Sequence, residues 1–140
     1  MEKPPIAVLL IEDDEGQGIL TKEALEREGF TVEVCRSGRE GLDRILAKTY
    51  HVHLLDMKLP DIPGIEVLRR INTIKPSSIT IILSGHGDEV AAVEAMKLGA
   101  YDYIIKSPYM GHLAALPVVI REVIERKHLK DEREQLQNEL

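Results

Sequence analysis

Acidic side chains stand at two separated points of the chain, each at the end of a short apolar run. The apolar run 6–11 leads into the acidic run 12–15 (EDDE), and the run that begins at residue 52 ends in Asp56. Alone, the run 12–15 has an ordinary explanation, because Asp and Glu suit a solvated turn and the positive end of a helix. Three carboxylates that converge, however, need a cation, and hard divalent ions such as Mg²⁺ prefer oxygen ligands.

Two further polar residues follow apolar runs later in the chain. Ser84 opens the segment Ser84-Gly85-His86-Gly87, and Lys106 comes directly after the run 102–105. A hydroxyl can donate to an anionic oxygen, and neighbouring glycines let backbone approach a ligand. Lys106 is the cation placed to face the acids, although a lysine at a strand end can also extend into water. Acids, hydroxyl and lysine together fit the binding of Mg²⁺ and a phosphoryl group.

The alternation of apolar runs with amphipathic segments predicts the elements that position these residues. The runs cover 6–11, 31–35, 52–56, 79–83 and 102–105. A strand followed by a helix, five times over, predicts an α/β fold with a five-stranded, doubly wound parallel sheet in three α/β/α layers, because parallel neighbours need crossovers. Ligands bind beyond the carboxyl ends of such strands. If the first and third strands are neighbours, Asp56 lies close to Glu12 and Asp13.

Composition excludes several classes of protein. With 140 residues, of which 44% are hydrophobic, the chain can bury a core, which excludes intrinsic disorder for most of its length. A net charge of −6 disfavours direct binding to nucleic acid. A single cysteine excludes an internal disulfide framework or a Cys-rich zinc site. The longest early apolar run is too short for a signal peptide or a membrane span, so no membrane partner and a cytoplasmic location are expected.

The strand-end residues resemble the receiver domain of bacterial two-component response regulators. Four segments in this order carry the resemblance: LLIEDD at 9–14, LLDMKLPDIPG at 54–64, ILSGHG at 82–87 and GAYDYIIK at 99–106. The resemblance implies a (βα)5 flavodoxin-like receiver domain over residues 1–126. It also implies a phosphorylation-controlled signalling switch of a phosphorelay, not an enzyme, whose partner is a sensor histidine kinase or a phosphotransfer protein.

Carried over position by position, the resemblance assigns the phosphoacceptor and the metal ligands. Asp56 would accept the phosphoryl group. Asp13 and Asp56 would bind Mg²⁺ directly, Glu12 would act through water, and the backbone carbonyl of Lys58 would be a further ligand.

The resemblance also assigns three residues to the response. Ser84 would hold a phosphoryl oxygen, and Lys106 would pair with the phosphoryl charge. Tyr103 matches the aromatic position whose rotamer reports the active state, and an ordinary strand aromatic is the alternative explanation for it.

One departure from the family pattern lies after the fifth strand. The family usually has proline directly after the lysine, often through a cis bond, whereas here Ser107 stands between Lys106 and Pro108. Because only X–Pro bonds form cis isomers cheaply, the Lys106–Ser107 bond is expected to be trans. The loop into the last helix is therefore expected to differ from the usual one.

Two other functions stay open at this point. An Mg²⁺-dependent phosphohydrolase with an aspartyl nucleophile typically needs a second Asp two residues later, where this chain has Lys58. A receiver-like interaction module without phosphotransfer is disfavoured by the complete set of acids, serine and lysine, and only phosphoryl labelling excludes it.

The C-terminal segment has a different composition from the rest. From residue 125 it reads ERKHLKDEREQLQNEL, with Leu129, Leu136 and Leu140 as its only apolar residues. Residues 127–140 are predicted to extend the last helix beyond the receiver domain. The heptad spacing of Leu129 and Leu136 is typical of a weak coiled-coil seam, which predicts a homodimer through this helix. A frayed monomeric tail is the alternative.

Overall fold

The computed structural model describes residues 4–139, in which strands and helices alternate as predicted. The strands are β1 (Ala7–Ile11), β2 (Thr31–Cys35), β3 (Val52–Asp56), β4 (Thr80–Ser84) and β5 (Asp102–Ile105). The helices are α1 (Glu15–Arg27), α2 (Gly38–Ala47), α3 (Gly64–Ile74), α4 (Glu89–Lys97) and α5 (Leu116–Glu139), and a 3-10 segment, Pro108–Ala114, precedes α5. Two strand boundaries were predicted one residue too early: β1 begins at Ala7 and not at Ile6, and β4 covers 80–84 and not 79–83.

All five strands lie parallel in one sheet, in the order β2-β1-β3-β4-β5. This is the order of flavodoxin-like doubly wound folds. The strand β1 is paired with β3, with Leu10 opposite Leu54 and Ile11 opposite Leu55. The carboxyl ends of β1 and β3 are therefore adjacent, which confirms the fold class and the predicted neighbourhood of the two acidic strand ends.

The core lies on both faces of the sheet, because successive side chains of a strand point to opposite faces. Leu10 and Leu54 pack in the cluster that includes residues of α1 and α5. Leu9 and Leu55 pack in the cluster that includes residues of α2, α3 and α4. All four leucines are fully buried, and full burial of such a side chain stabilises the fold by about 1.5–3 kcal/mol. The sheet edge that carries the polar strand ends is thus held by a packed core.

The segment between β5 and α5 departs from regular structure. No cis peptide bond occurs in the described residues, so the bond after Lys106 is trans, as predicted. The Ser107 N–H donates to Nδ1 of the buried His112, at 3.0 Å. Tyr109 and Met110 have φ of 59° and 60°, in the left-handed region that non-glycine residues seldom occupy. The additional residue after Lys106 is thus accommodated by two consecutive left-handed residues.

The helix α5 continues well past the core. Ile120 and Val123 are buried against the sheet, and Pro117 stands in the first helical turn, where its missing N–H costs nothing. Leu129 and Leu136 are exposed, and Leu140 lies outside the described residues. Within residues 4–139, no helix combines the length and the apolar character needed to cross a membrane.

Candidate functional site

Three carboxylates meet at the carboxyl edge of the sheet. Oxygens of Glu12, Asp13 and Asp56 lie within 4.8 Å of one another. Glu12 follows β1 and is buried, Asp56 ends β3 and is buried, and Asp13 is exposed to solvent. The convergence predicted from the strand order is confirmed.

Lys106 directly follows β5, and its ammonium hydrogen-bonds to both buried acids. It donates to Glu12 Oε1 at 2.6 Å and to Asp56 Oδ2 at 2.9 Å. A third hydrogen bond goes to the side-chain oxygen of Gln17 in the first turn of α1, at 2.8 Å. The side chain of Lys106 is 16% exposed. Its charge is therefore screened little by water, and it acts mainly on these two carboxylates.

Burial and mutual repulsion set the charges of the two acids. Burial, together with the neighbouring Asp56, raises the pKa of Glu12 to about 7. Burial also raises the pKa of Asp56, but hydrogen bonds with Glu12, with the Lys58 N–H and with Lys106 outweigh it and hold this pKa below its usual range. A proton shared by the pair therefore resides on Glu12, and Asp56 stays ionised. An ionised oxygen is the state that a nucleophilic carboxylate requires.

The loop after β3 presents Asp56 in one orientation. The Lys58 N–H donates to Asp56 Oδ1 at 3.0 Å, and the Gly64 N–H donates to the Met57 carbonyl at 3.1 Å. A Cβ on Gly64 would lie 2.6 Å from Met57 Cα, so only glycine permits this approach of α3 to the loop. Farther along the loop, Asp61 accepts from two backbone N–H groups at the start of α2, at 2.8 and 2.9 Å. The loop is fixed at both ends.

The residues at this edge suit a divalent cation. Carboxylate oxygens are the ligands that Mg²⁺ prefers, and it usually binds one or two carboxylates with water and phosphate oxygens. Burial, with the neighbouring Asp56, raises the pKa of Glu12, and a bound cation would favour its ionised form. The donor set Glu12, Asp13 and Asp56 therefore fits Mg²⁺.

Ser84 and Tyr103 do not join this cluster. The Ser84 hydroxyl is fully buried, and the polar atoms in its reach are the backbone carbonyls of Gly85 and Asp88, each at 3.4 Å. Tyr103 lies on β5 opposite Ile82 and is 37% exposed. Within residues 4–139, neither side chain hydrogen-bonds to the acids or to Lys106.

The side chain of Lys58 points across the mouth of the site toward the loop that precedes α4. Its ammonium lies 3.6 Å from Asp88 Oδ2, a buried oxygen that otherwise has no hydrogen-bond partner among the described residues. Asp88 stands at the N-terminus of α4, and its side chain does not cap that helix. Lys58 thus links the loop that follows Asp56 to the loop that follows Ser84.

Sequence reasoning missed Gln17. It stood inside a Gly-Gln-Gly triplet that fails as a nucleotide-binding fingerprint because Thr21 replaces the third glycine. No local pattern marks a glutamine whose partner, Lys106, is 89 residues away. Only the placement of α1 against the edge of the sheet reveals the contact.

The two histidines around β3 lie away from the acid cluster. The His53 ring is buried, lies edge-on to Tyr50 at 6.0 Å and has Nδ1 3.3 Å from the Thr80 hydroxyl. Nδ1 of His51 accepts from the Ala7 N–H at 2.9 Å. Both histidines lie at the amino-terminal edge of the sheet, opposite the acid cluster.

Known proteins share this chain's sequence pattern and fold. The response regulator receiver domain family matches residues 8–116. The response regulator ArlR of Staphylococcus epidermidis is 33% identical over 124 residues, which are 89% of this chain and 55% of ArlR. This chain therefore spans about half the length of that relative.

Solved structures extend the comparison to the fold. A response regulator receiver domain protein from Clostridium thermocellum has a TM-score of 0.80 and 36% identity, with 89% of this chain and 98% of that chain covered. A CheY-like receiver domain protein from Methanospirillum hungatei has a TM-score of 0.82 and 29% identity, with 90% and 98% covered. The family match, over residues 8–116, includes every strand end that forms the acid cluster. The chain belongs to the response regulator receiver domain family.

Proposed function

We propose that Asp56 accepts a phosphoryl group from the phosphohistidine of a sensor histidine kinase or a phosphotransfer protein. The observation that carries this proposal is the Lys106 ammonium, which bridges Glu12 and Asp56 beside the exposed Asp13. A buried carboxylate, ionised and held by a backbone N–H, is a nucleophile in fixed orientation. Transfer onto it would make the domain a switch that a new anion controls.

The group transfer follows in-line displacement. An Asp56 oxygen attacks the phosphorus, a P–O bond forms, and the P–N bond to the donor histidine breaks, with its electron pair returning to the imidazole nitrogen. Mg²⁺, held directly by Asp13 and Asp56, through water by Glu12 and by the Lys58 carbonyl, would neutralise charge on the transferring group. Lys106 keeps its protons and turns one hydrogen bond from Asp56 to a phosphoryl oxygen.

The response to phosphorylation would begin at Ser84. Its hydroxyl must leave the carbonyls of Gly85 and Asp88 to reach a phosphoryl oxygen, so the loop before α4 moves with it. Tyr103, on the adjacent strand and partly exposed, would change rotamer as that loop moves.

The chemistry is self-phosphorylation and autodephosphorylation, not turnover of a substrate. An ammonium group at Lys58, engaged with Asp88, does not suit the acid/base role that a phosphohydrolase needs at that position.

The acceptor assignment is tested by labelling with acetyl phosphate in the presence and absence of Mg²⁺. Wild type is expected to gain one phosphoryl group by intact mass, only with Mg²⁺, and Asp56→Asn is expected to gain none. The matched control is Asp43→Asn, an exposed position on α2, which should label like wild type. Equal labelling of Asp56→Asn and wild type would refute the assignment.

Residues 1–126 would form the receiver domain, and 127–140 a helical extension that pairs with a second copy in a homodimer. The exposed Leu129 and Leu136, one heptad apart on α5, support this proposal. Truncation after Arg126 is expected to lower the solution mass from dimer to monomer by light scattering. A full-length protein that is monomeric with and without a phosphoryl analogue would contradict it.

A further inference from the structure

All three hydrogen-bond donors of the Lys106 ammonium are engaged. Two of the acceptors are the carboxylates of Glu12 and Asp56, and the third is the neutral side-chain amide of Gln17. A lysine ammonium can only donate, so the amide oxygen of Gln17, and not its nitrogen, must face Lys106. Its 2.8 Å contact lies in the range of charge-assisted hydrogen bonds.

Backbone hydrogen bonds place Gln17 in the first turn of α1. The Gln17 N–H donates to Asp14 Oδ1 at 2.9 Å, which caps the helix, and the Gly18 N–H donates to the Asp14 carbonyl at 2.9 Å. The helix also lies close to the sheet, because a Cβ on Gly18 would meet Val34 at 3.4 Å. These contacts fix the backbone of Gln17 at the start of α1, from which its side chain reaches Lys106.

The other two acceptors of Lys106 do change during the reaction. Phosphorylation would esterify Asp56 and remove its charge, and Glu12 would be drawn toward Mg²⁺ through water. Gln17 is neutral, and an amide competes poorly with carboxylates for a hard cation. It is therefore the one acceptor of Lys106 that stays constant from the free site to the phosphorylated one.

We infer that Gln17 is a positioning residue that holds the Lys106 ammonium beside the phosphoryl group during transfer to Asp56. This inference rests on the proposed function. With acetyl phosphate as donor, the P–O bond to Asp56 forms, the P–O bond to the acetyl group breaks, and acetate leaves with the electron pair. Gln17 takes no part in bond making and acts only through Lys106.

The kinetic test uses Gln17→Met, which keeps the side-chain length but removes the acceptor, and Gln17→Glu, which keeps an acceptor. At saturating Mg²⁺, Gln17→Met is expected to slow labelling by acetyl phosphate about tenfold or more, the usual effect of one hydrogen bond to a charged group. Gln17→Glu should recover most of that loss, and Mg²⁺ affinity by calorimetry should stay within about twofold of wild type for Gln17→Met, which removes no metal ligand. The exposed Gln135→Met is the matched control.

A double-mutant cycle distinguishes positioning from a general structural effect. In a Lys106→Met background, Gln17→Met should change the labelling rate by less than about twofold, because the group through which Gln17 acts is gone. An equal slowing in both backgrounds, or no slowing in wild type, would overturn the inference.

A second measurement decides the inference even if no phosphoryl transfer occurs. In ¹⁵N-labelled protein, the Lys106 ammonium signal, assigned by its loss in Lys106→Met, should broaden in Gln17→Met through faster hydrogen exchange and persist in Gln17→Glu. An unchanged signal in Gln17→Met would refute the positioning role. Failure of wild type to label, in contrast, would refute the proposed function and leave this spectroscopic result to decide the role of Gln17.

Discussion

Replacement of His53 by glutamine should change how the stability of the domain depends on pH. The ring is 2% exposed, and burial, with a smaller effect of Lys75, lowers the pKa of His53 from its usual 6.5 to about 4. Glutamine keeps a polar group that can reach the Thr80 hydroxyl, but it does not titrate. The variant therefore removes one proton-binding group and leaves the other titrating groups in place.

The sign and size of the effect follow from the two pKa values. Below about pH 6.5 the unfolded chain protonates His53 and the folded chain does not, so the free energy of unfolding falls until about pH 4. At about 1.4 kcal/mol per pKa unit, the full effect is about 3 kcal/mol. As the pH falls from about 7.5 to 4.5, His53 is expected to lower the free energy of unfolding of wild type by about 2.5 kcal/mol.

Glu12 has the opposite effect over nearly the same range. Its pKa is raised from 4.5 to about 7, so the stability it contributes is present at low pH and lost as the pH rises through 7. In wild type the contributions of Glu12 and His53 nearly cancel. The difference between the variant and wild type is therefore the informative quantity, because the contribution of Glu12 is common to both.

The assay is urea unfolding followed by circular dichroism, with a metal chelator present so that Glu12 stays free of metal. Between about pH 7.5 and pH 4.5, the free energy of unfolding of His53→Gln should rise by about 2.5 kcal/mol relative to that of wild type. The exposed His86→Gln is the matched control for the same replacement. The reasoning would be refuted if the difference in free energy of unfolding between His53→Gln and wild type changed by less than about 0.5 kcal/mol over this range.

Two further predictions concern the metal site and the loop after β3. Asp13→Ala should weaken Mg²⁺ binding about tenfold or more by calorimetry, because it removes a charged oxygen ligand, and Asp43→Ala should not; an unchanged titration for Asp13→Ala would place the metal elsewhere. Gly64→Ala should destabilise the fold by about 1–3 kcal/mol in urea unfolding, because its Cβ would lie 2.6 Å from Met57 Cα. The control Gly16→Ala, whose Cβ would meet its nearest atom at 3.5 Å, should not destabilise, and equal effects of the two changes would contradict the steric explanation.

The alternation of apolar runs with amphipathic segments was sufficient to predict the sheet and the edge where the acids meet. A parallel sheet buried on both faces requires near-continuous apolar strands, and such strands are visible in a single sequence. The meeting of Glu12, Asp13 and Asp56 followed from the strand order alone. Periodicity is a local property of the sequence, and the order of parallel strands follows general topological rules.

Side-chain partners could not be predicted in the same way. The contact of Gln17 with Lys106 and the contact of His112 with Ser107 depend on how a helix and a loop pack against the edge of the sheet. The Ser84 hydroxyl was expected to face the ligand, yet it lies near two loop carbonyls. The orientation of this hydroxyl depends on the loop before α4, which carries both carbonyls. The orientation of a single side chain therefore has to be read from the structure.

The span of the Lys106 hydrogen bonds has a consequence for the order in which the domain folds. Lys106 is 94 residues from Glu12 and 50 residues from Asp56, so the acids leave the ribosome well before the cation that compensates them. A nascent chain that has paired β1 with β3 must hold adjacent carboxylates without that cation, which opposes early burial of this edge. Completion of the sheet by the last strand supplies the missing charge. The nascent domain is therefore expected to consolidate as one late, cooperative unit and not strand by strand during synthesis.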